Sequence, residues 1–196
     1  MKGNEVNQLR DIESLVSQDE DKSLSYVSTK LSVFNVAFHN LESAFLKDSG
    51  KEEEYDFIPF QCGSFVDMLI EASLYFKMDR SKKFLDVGCG PGTKVILANV
   101  LFDAHGIELR RSAVETANNY FCLKNVFQGD ALKCEKYGEY DLLYFYRPLK
   151  SPSLQLALEE VIFEQMKPGA LIAPMHTEMD WDSKTKRLSQ YLYLKE

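Results

Sequence analysis

Apolar residues recur at helical spacing in the first part of the chain and in short runs after residue 83. From Leu24 to Phe45 they are three and four residues apart over three heptads, which predicts one long amphipathic helix. A second stripe, from Phe65 to Phe76, predicts another helix with Ser64 as its N-cap. The 24–45 helix either packs on the following domain, which the pattern favours, or forms a seam for a partner such as a second copy of the chain.

From Lys83 onward, apolar runs alternate with amphipathic segments. The run from Leu142 to Tyr146 is apolar throughout, which is typical of a strand covered on both faces in a parallel sheet. The tail from Leu188 to Lys195 is a candidate for a final edge strand. We predict strands near 83–87, 104–108, 125–128, 140–146 and 170–175, and helices near 92–101, 111–123 and 153–166.

These elements predict an α/β fold with a mainly parallel sheet of six or seven strands flanked by helices. With 196 residues, the chain has room for one domain and an appendage. We therefore expect a helical N-terminal extension at residues 1–60 and an α/β domain at residues 61–196.

Composition narrows the classes of function. The net charge of −7 disfavours a broad nucleic-acid surface, because phosphate contacts need clustered Lys and Arg. The four cysteines form no C-x-x-C pair and the three histidines are dispersed, so we expect no metal site. No apolar run approaches the ~20 residues of a membrane span, and no secretory h-region is visible, so we expect a cytoplasmic protein.

A glycine loop separates the first predicted strand of this region from its helix. Gly88, Gly90 and Gly92 allow a tight turn and a close approach of backbone to a ligand. The dinucleotide fingerprint G-x-G-x-x-G requires glycine at position 93, which is Thr93 here. Pro91 also removes an N–H from a loop that holds pyrophosphate in dinucleotide enzymes. Both features disfavour an NAD-dependent oxidoreductase.

The segment from Asp86 to Gly92, Asp-Val-Gly-Cys-Gly-Pro-Gly, resembles motif I of the class I S-adenosylmethionine-dependent methyltransferases. The resemblance implies a Rossmann-like methyltransferase fold with S-adenosylmethionine as its cofactor. Asp86 then provides a negative charge for the cofactor's ammonium group. Glu108 matches the residue that binds the two ribose hydroxyls, a task suited to a carboxylate. Asp130 matches the acceptor of the adenine amino group.

The spacing of these three acids supports one shared site. Asp86 to Glu108 and Glu108 to Asp130 are each 22 residues, one strand-helix period apiece, so the acids converge on one crevice at the carboxyl edge of the sheet. The segment before the first helix of the domain, which covers the methionine end in many relatives, adds Gln61. The predicted cofactor-binding residues are Gln61, Asp86, Gly88, Cys89, Gly90, Gly92, Glu108, Leu109, Asp130 and Ala131.

In this family the fourth strand ends beside the transferred methyl group. Here it ends in Tyr146-Arg147-Pro148, not in the N/D-P-P-Y/F motif of adenine-N6 and glutamine-N5 methyltransferases. We take Tyr146 and Arg147 as candidate catalytic residues, Tyr146 shaping the pocket and Arg147 meeting an anionic or aromatic group. Alternatively, Tyr146 only packs and Arg147 reaches a surface carboxylate. No general base is identified.

A second resemblance concerns the end of the domain. Met179-Asp180-Trp181 after the fifth strand is similar to small bacterial relatives of the lysine methyltransferases that act on the ATP-synthase c subunit, although Pro91 and the end of the fourth strand differ from that group. The acceptor, a small molecule or a protein side chain, stays unidentified. We expect methyl transfer to a nucleophilic N, O or S atom; the alternative is a non-catalytic module that binds cofactor or a partner.

Overall fold

The structure is a computed structural model, and it describes residues 62–196. The predicted 24–45 helix, the N-terminal extension with its boundary at residue 60, and Gln61 lie outside the described residues. Within the described part, no helix is both long enough and apolar enough to cross a membrane.

Helices and strands alternate along the described chain. The helices are α1 (Cys62–Tyr75), α2 (Thr93–Ala98), α3 (Arg111–Tyr120) and α4 (Pro152–Gln165). The strands are β1 (Lys83–Val87), β2 (Asp103–Glu108), β3 (Val126–Gln128), β4 (Leu142–Tyr146), β5 (Leu171–Met175), β6 (Lys186–Arg187) and β7 (Tyr193–Leu194). Each strand and helix predicted between residues 83 and 175 has an observed counterpart. The predicted N-cap is wrong, because α1 already includes Cys62 and Ser64 lies inside its first turn.

All seven strands form one sheet in the order β3-β2-β1-β4-β5-β7-β6. The first five are parallel, and β7 pairs antiparallel with both β5 and β6. This confirms the predicted α/β class and strand number. Because these strands are parallel, the carboxyl ends of β1, β2, β3 and β4 lie at one edge of the sheet. The strand order reverses between β1 and β4, where parallel sheets bind ligands.

The tail differs from the prediction. Only Tyr193–Leu194 of the predicted edge strand forms β7, which lies between β5 and the true edge strand β6. The chain reverses before it reaches β7, and the Leu188 N–H donates to the Leu192 carbonyl at 2.9 Å. The tail is therefore the second half of a short hairpin.

Apolar side chains cover both faces of the sheet. On one face, the ring of Phe65 from α1 lies 6.2 Å from Phe84 and 4.9 Å from Tyr144, between ring centroids, and α2 and α3 complete this side of the core. On the other face, α4 contributes the fully buried Leu158 and Ile162. The strands β1 and β4 are thus buried on both faces, as the continuous apolar sequence of β4 predicts.

Candidate cofactor site

The glycine loop between β1 and α2 is built from left-handed backbone. Gly88, Gly90 and Gly92 have φ angles of 78°, 57° and 85°, a region that costs other residues roughly 1–2 kcal/mol. Space is also limited, since a Cβ on Gly88 would lie 2.7 Å from the Cβ of Pro148. The backbone itself therefore requires these glycines.

Asp86 lies in β1, one residue before the strand ends, and its residue is only 1% exposed. Neither of its carboxylate oxygens has a hydrogen-bond partner among the residues that the structure describes. Burial raises the pKa of Asp86 to about 6; the nearby charge of Lys94 opposes this shift, and that of Glu108 adds to it. A buried carboxyl group without a donor fits a site for a cationic ligand.

Glu108 ends β2 and is 7% exposed. Its Oε2 accepts the Gly90 N–H at 2.9 Å, and its Oε1 accepts the Arg110 N–H at 2.9 Å. Glu108 therefore holds the glycine loop against the end of β2. Oε1 also accepts the Arg110 Nε–H at 3.5 Å. Because each carboxylate oxygen has about two acceptor sites, one remains on Oε2 for a ligand hydroxyl.

Asp130 follows β3 by two residues and is only partly buried. Its Oδ1 accepts the Leu132 N–H at 3.0 Å, and its Oδ2 lies 3.3 Å from the Lys133 Nζ. The Gly129 N–H donates to the Glu108 carbonyl at 2.9 Å, which extends the pairing of β2 and β3 to this point. Asp130 thus lies at the same sheet edge as the other two acids.

The remaining predicted cofactor residues differ in exposure. Leu109, next to Glu108, is 61% exposed, an unusual position for a large apolar side chain, and Ala131 is half-buried. The Cys89 side chain points into the core, where a Cβ added to Gly106 would lie 2.5 Å from its Sγ. Burial also raises the pKa of its thiol. Cys89 can therefore offer a ligand only its backbone.

Tyr146 and Arg147 follow one another at the end of β4 but have different partners. The Tyr146 hydroxyl lies 2.9 Å from Nε2 of His176, and the two rings meet edge to face at 4.8 Å between centroids. The Arg147 Nη2 lies 2.6 Å from Oε1 of Glu178. Arg147 thus makes the carboxylate contact that was the alternative to its catalytic role, whereas Tyr146 contacts a titratable ring.

Two solved structures that are similar to this chain are methyltransferases. One is CalS10 from Micromonospora echinaspora, an amino pentose methyltransferase involved in calicheamicin biosynthesis that was solved with S-adenosylmethionine bound. It matches with a TM-score of 0.52 at 16% identity, over 69% of this chain and 55% of its own length. An S-adenosylmethionine-dependent methyltransferase from Clostridium acetobutylicum ATCC 824 matches with a TM-score of 0.50 at 14% identity, over 72% of this chain and 56% of its own. The chain has the fold of the class I methyltransferases.

No protein-family model and no curated protein sequence matches the chain. The chain spans just over half the length of each of these two methyltransferase structures. At 16% and 14% identity, the similarity of these structures shows a shared fold. Between residues 62 and 196, no group of three or more His, Cys, Asp or Glu side chains is arranged to hold a metal ion.

Within this methyltransferase fold, sequence reasoning missed a buried carboxylate in α4. Glu159 is fully buried and organises the chain after β5. In the sequence it adjoins Glu160, and nothing in the local pattern indicates that one of the two carboxylates is buried. Its donors are the N–H groups of Glu178 (3.0 Å) and Met179 (2.8 Å), the indole N–H of Trp181 (3.3 Å), the side-chain amide of Gln155 (2.8 Å) and the hydroxyl of Thr177.

His176 was also missed, since its partner Tyr146 is 30 residues away and only the parallel pairing of β4 with β5 brings the two together. Trp181 stands where the second resemblance places a tryptophan. Its side chain is buried against Phe145 and Phe163, with ring centroids at 6.4 and 6.1 Å. Trp181 is thus a core residue of the methyltransferase fold.

Proposed function

We propose that this protein transfers a methyl group from S-adenosylmethionine to a nucleophilic N, O or S atom of an acceptor. The observation that carries the proposal is the buried Asp86 carboxyl group, which has no hydrogen-bond partner among the described residues. A cationic group offsets the cost of ionising a buried carboxyl group, and the methionine part of this cofactor carries an ammonium. The pyrophosphate of NAD would instead bring negative charge to the same loop.

The other residues of the sheet edge suit the remaining parts of the cofactor. Glu108 keeps an acceptor site on Oε2 for a ribose hydroxyl while it holds the Gly90 amide, and Arg110 occupies Oε1. Asp130 accepts from the adenine amino group, and Leu109 and Ala131 provide apolar contact to the base. When bound, S-adenosylmethionine supplies an electrophilic methyl group. Transfer to an atom that is already nucleophilic depends mainly on alignment and on exclusion of water, which is the role we assign to the loops after β1 and β4.

Isothermal titration calorimetry with S-adenosylhomocysteine and NAD tests the proposal. We expect the wild type to bind S-adenosylhomocysteine and not NAD. Asp86→Asn should weaken binding by about tenfold or more, because a charged hydrogen bond to the ammonium is lost. The matched control is Asp103→Asn, at the amino end of β2, where the carboxylate is 52% exposed. Binding of NAD without S-adenosylhomocysteine would contradict the proposal.

A second candidate, a non-catalytic module that binds cofactor or a partner, is favoured by one contact. The Arg147 guanidinium is already engaged by Glu178 at 2.6 Å and so is directed to this chain's own carboxylate. Formation of S-adenosylhomocysteine from S-adenosylmethionine in the presence of acceptors separates the two candidates. Turnover with any acceptor excludes the non-catalytic candidate.

A further inference from the structure

We propose that Tyr146 and His176 together accept the proton of the methyl acceptor, and that this acceptor is a phenolic hydroxyl group. The inference rests on the proposed function and specifies its substrate class. It assigns a chemical role to His176, a residue that the sequence pattern leaves unassigned.

The register of the sheet puts Tyr146 beside the glycine loop. Asp86 pairs with Tyr144 and Val87 pairs with Phe145, so Tyr146 is level with the first residue after β1. Side chains alternate along a strand, which places Asp86, Tyr144 and Tyr146 on the same face. Strand spacing and rise put the Cα atoms of Asp86 and Tyr146 about 8 Å apart. Tyr146 is therefore next to the site proposed for the methionine end.

The tyrosine and histidine form a pathway for a proton. The Tyr146 hydroxyl and the His176 Nε2 are 2.9 Å apart, and a neutral imidazole with its hydrogen on Nδ1 accepts at Nε2. The His176 residue is exposed, so its ring can release a proton to water. The pair thus provides a proton path from the carboxyl end of β4 to solvent.

The position of His176 is imposed by its surroundings. Its φ of 55° lies in the left-handed region, which costs a non-glycine residue roughly 1–2 kcal/mol. The segment that follows is fixed by Glu159, which accepts the N–H groups of Glu178 and Met179 at 3.0 and 2.8 Å. Arg147, with a φ of 37°, donates its N–H to the Met175 carbonyl at 3.1 Å and ties the ends of β4 and β5 together. A left-handed backbone position that is held from both sides is typical of a functional site.

The charges around the pair favour a hydroxyl acceptor over an amine. The Lys94 Nζ lies 5.5 Å from the ring centroid of Tyr144 and 5.9 Å from that of Tyr146. A cation in this position stabilises a developing phenolate and repels a protonated amine. Arg147 and Glu178 face the same region from β4 and from the segment after β5, but they pair with each other and contribute little net charge. Asp86 and Glu108 bring negative charge to the same region, but both bind the cofactor in the proposed function. Lys94 beside the Tyr146 ring then contributes the positive charge that favours a phenolate there.

The proposed step conserves atoms and charge. The acceptor O–H bond breaks, its proton goes to the Tyr146 oxygen, and the tyrosine's own proton passes to Nε2 of His176, giving an imidazolium. The electron pair left on the acceptor oxygen forms the bond to the methyl carbon. The methyl–sulfur bond breaks and its electron pair stays on sulfur. The positive charge of the sulfonium is thus replaced by that of the imidazolium.

The test uses the full chain with S-adenosylmethionine and two matched sets of probes, monocyclic and bicyclic phenols and the corresponding aryl amines. We expect O-methylation of phenols, measured as S-adenosylhomocysteine formation. His176→Gln keeps a hydrogen bond to Tyr146 but cannot take a proton, so its turnover should fall by about 100-fold or more. Its affinity for S-adenosylhomocysteine should match the wild type, and Tyr120→Phe, an exposed tyrosine at the end of α3, is the control.

A second readout is independent of turnover. The nitrogen-15 resonance of the His176 Nε2 should shift in Tyr146→Phe, because the hydrogen bond is lost. Free imidazole should restore part of the turnover of His176→Ala. The inference is overturned if His176→Gln methylates phenols at the wild-type rate, if the amines are methylated and the phenols are not, or if the wild type binds S-adenosylhomocysteine but methylates no phenol. Failure of the wild type to bind S-adenosylhomocysteine would reject the proposed function as well.

Discussion

Replacing Asp86 with asparagine should make the ligand-free protein more stable at neutral pH, although the same change weakens cofactor binding. The carboxyl group is buried without a hydrogen-bond partner among the described residues, so its ionised form is costly in the folded protein. Burial raises its pKa from the ordinary value of 3.8 to about 6. An asparagine has similar size and a similar cost of burial to the protonated acid, but it never ionises.

The sign and size of this change in stability follow from proton linkage. Between pH 3.8 and about 6 the folded protein keeps a proton that the unfolded chain has released, so the free energy of unfolding falls as the pH rises. Below this window Asp86 carries no penalty, and above it the full penalty applies. The difference between the two pKa values corresponds to about 3 kcal/mol. For a chain of this length that is a rise in Tm of roughly 6–12 °C in Asp86→Asn at pH 7.

Differential scanning calorimetry from pH 4 to pH 7.5 measures this effect. The Tm difference between Asp86→Asn and the wild type should be small at pH 4 and widen up to pH 7, while Asp103→Asn, with its exposed carboxylate, should follow the wild type. Saturating S-adenosylhomocysteine should raise the Tm of the wild type more than that of the variant. A variant that is less stable than the wild type at pH 7 would refute the reasoning, because Asp86 would then have a stabilising partner.

Three further changes test the site and its support. Glu108→Ala should weaken S-adenosylhomocysteine binding by roughly 1–3 kcal/mol in calorimetry, because the anchor of the glycine loop is lost, and unchanged affinity would remove Glu108 from the site. Gly106→Ala places a Cβ 2.5 Å from a buried sulfur and should lower the free energy of unfolding by roughly 1–3 kcal/mol in urea. Gly63→Ala, where a Cβ meets no atom of residues 62–196 within 4 Å, should not lower it. Glu159→Gln replaces an acceptor oxygen with a donor and should lower the free energy of unfolding by about 2 kcal/mol or more. Hydrogen exchange should become faster at the backbone amides of Glu178 and Met179, which now donate to Glu159, and unchanged exchange there would contradict its organising role.

The cofactor side could be read from the sequence because its determinants are local. Asp86 and Glu108 each lie at the carboxyl end of a strand of five or six residues, and the strand-helix period between them is visible as a repeated spacing. The glycines predict a turn whose left-handed backbone only glycine adopts without a steric penalty. The parallel topology then brings these strand ends to one edge without further information.

The acceptor side could not be read in the same way. Tyr146 and His176 meet because β4 and β5 pair in one register and because the residue after each strand has a left-handed backbone. Those two residues are Arg147 and His176, and neither residue type predicts that conformation. Glu159 is fully buried without any local sign of it in the sequence, because most of its donors come from a segment about 20 residues later. Contacts of this kind depend on tertiary packing and leave no periodic signal.

The contact between Gly88 and Pro148 has an evolutionary consequence. The proline ring occupies the space where any side chain at position 88 would begin, with its Cβ 2.7 Å from that point. The loop after β1 and the loop after β4 therefore cannot diversify independently. Homologues that recruit new acceptors by remodelling the β4 loop are expected to keep a compact residue opposite Gly88, or to shift both loops together, so that positions 88 and 148 should covary.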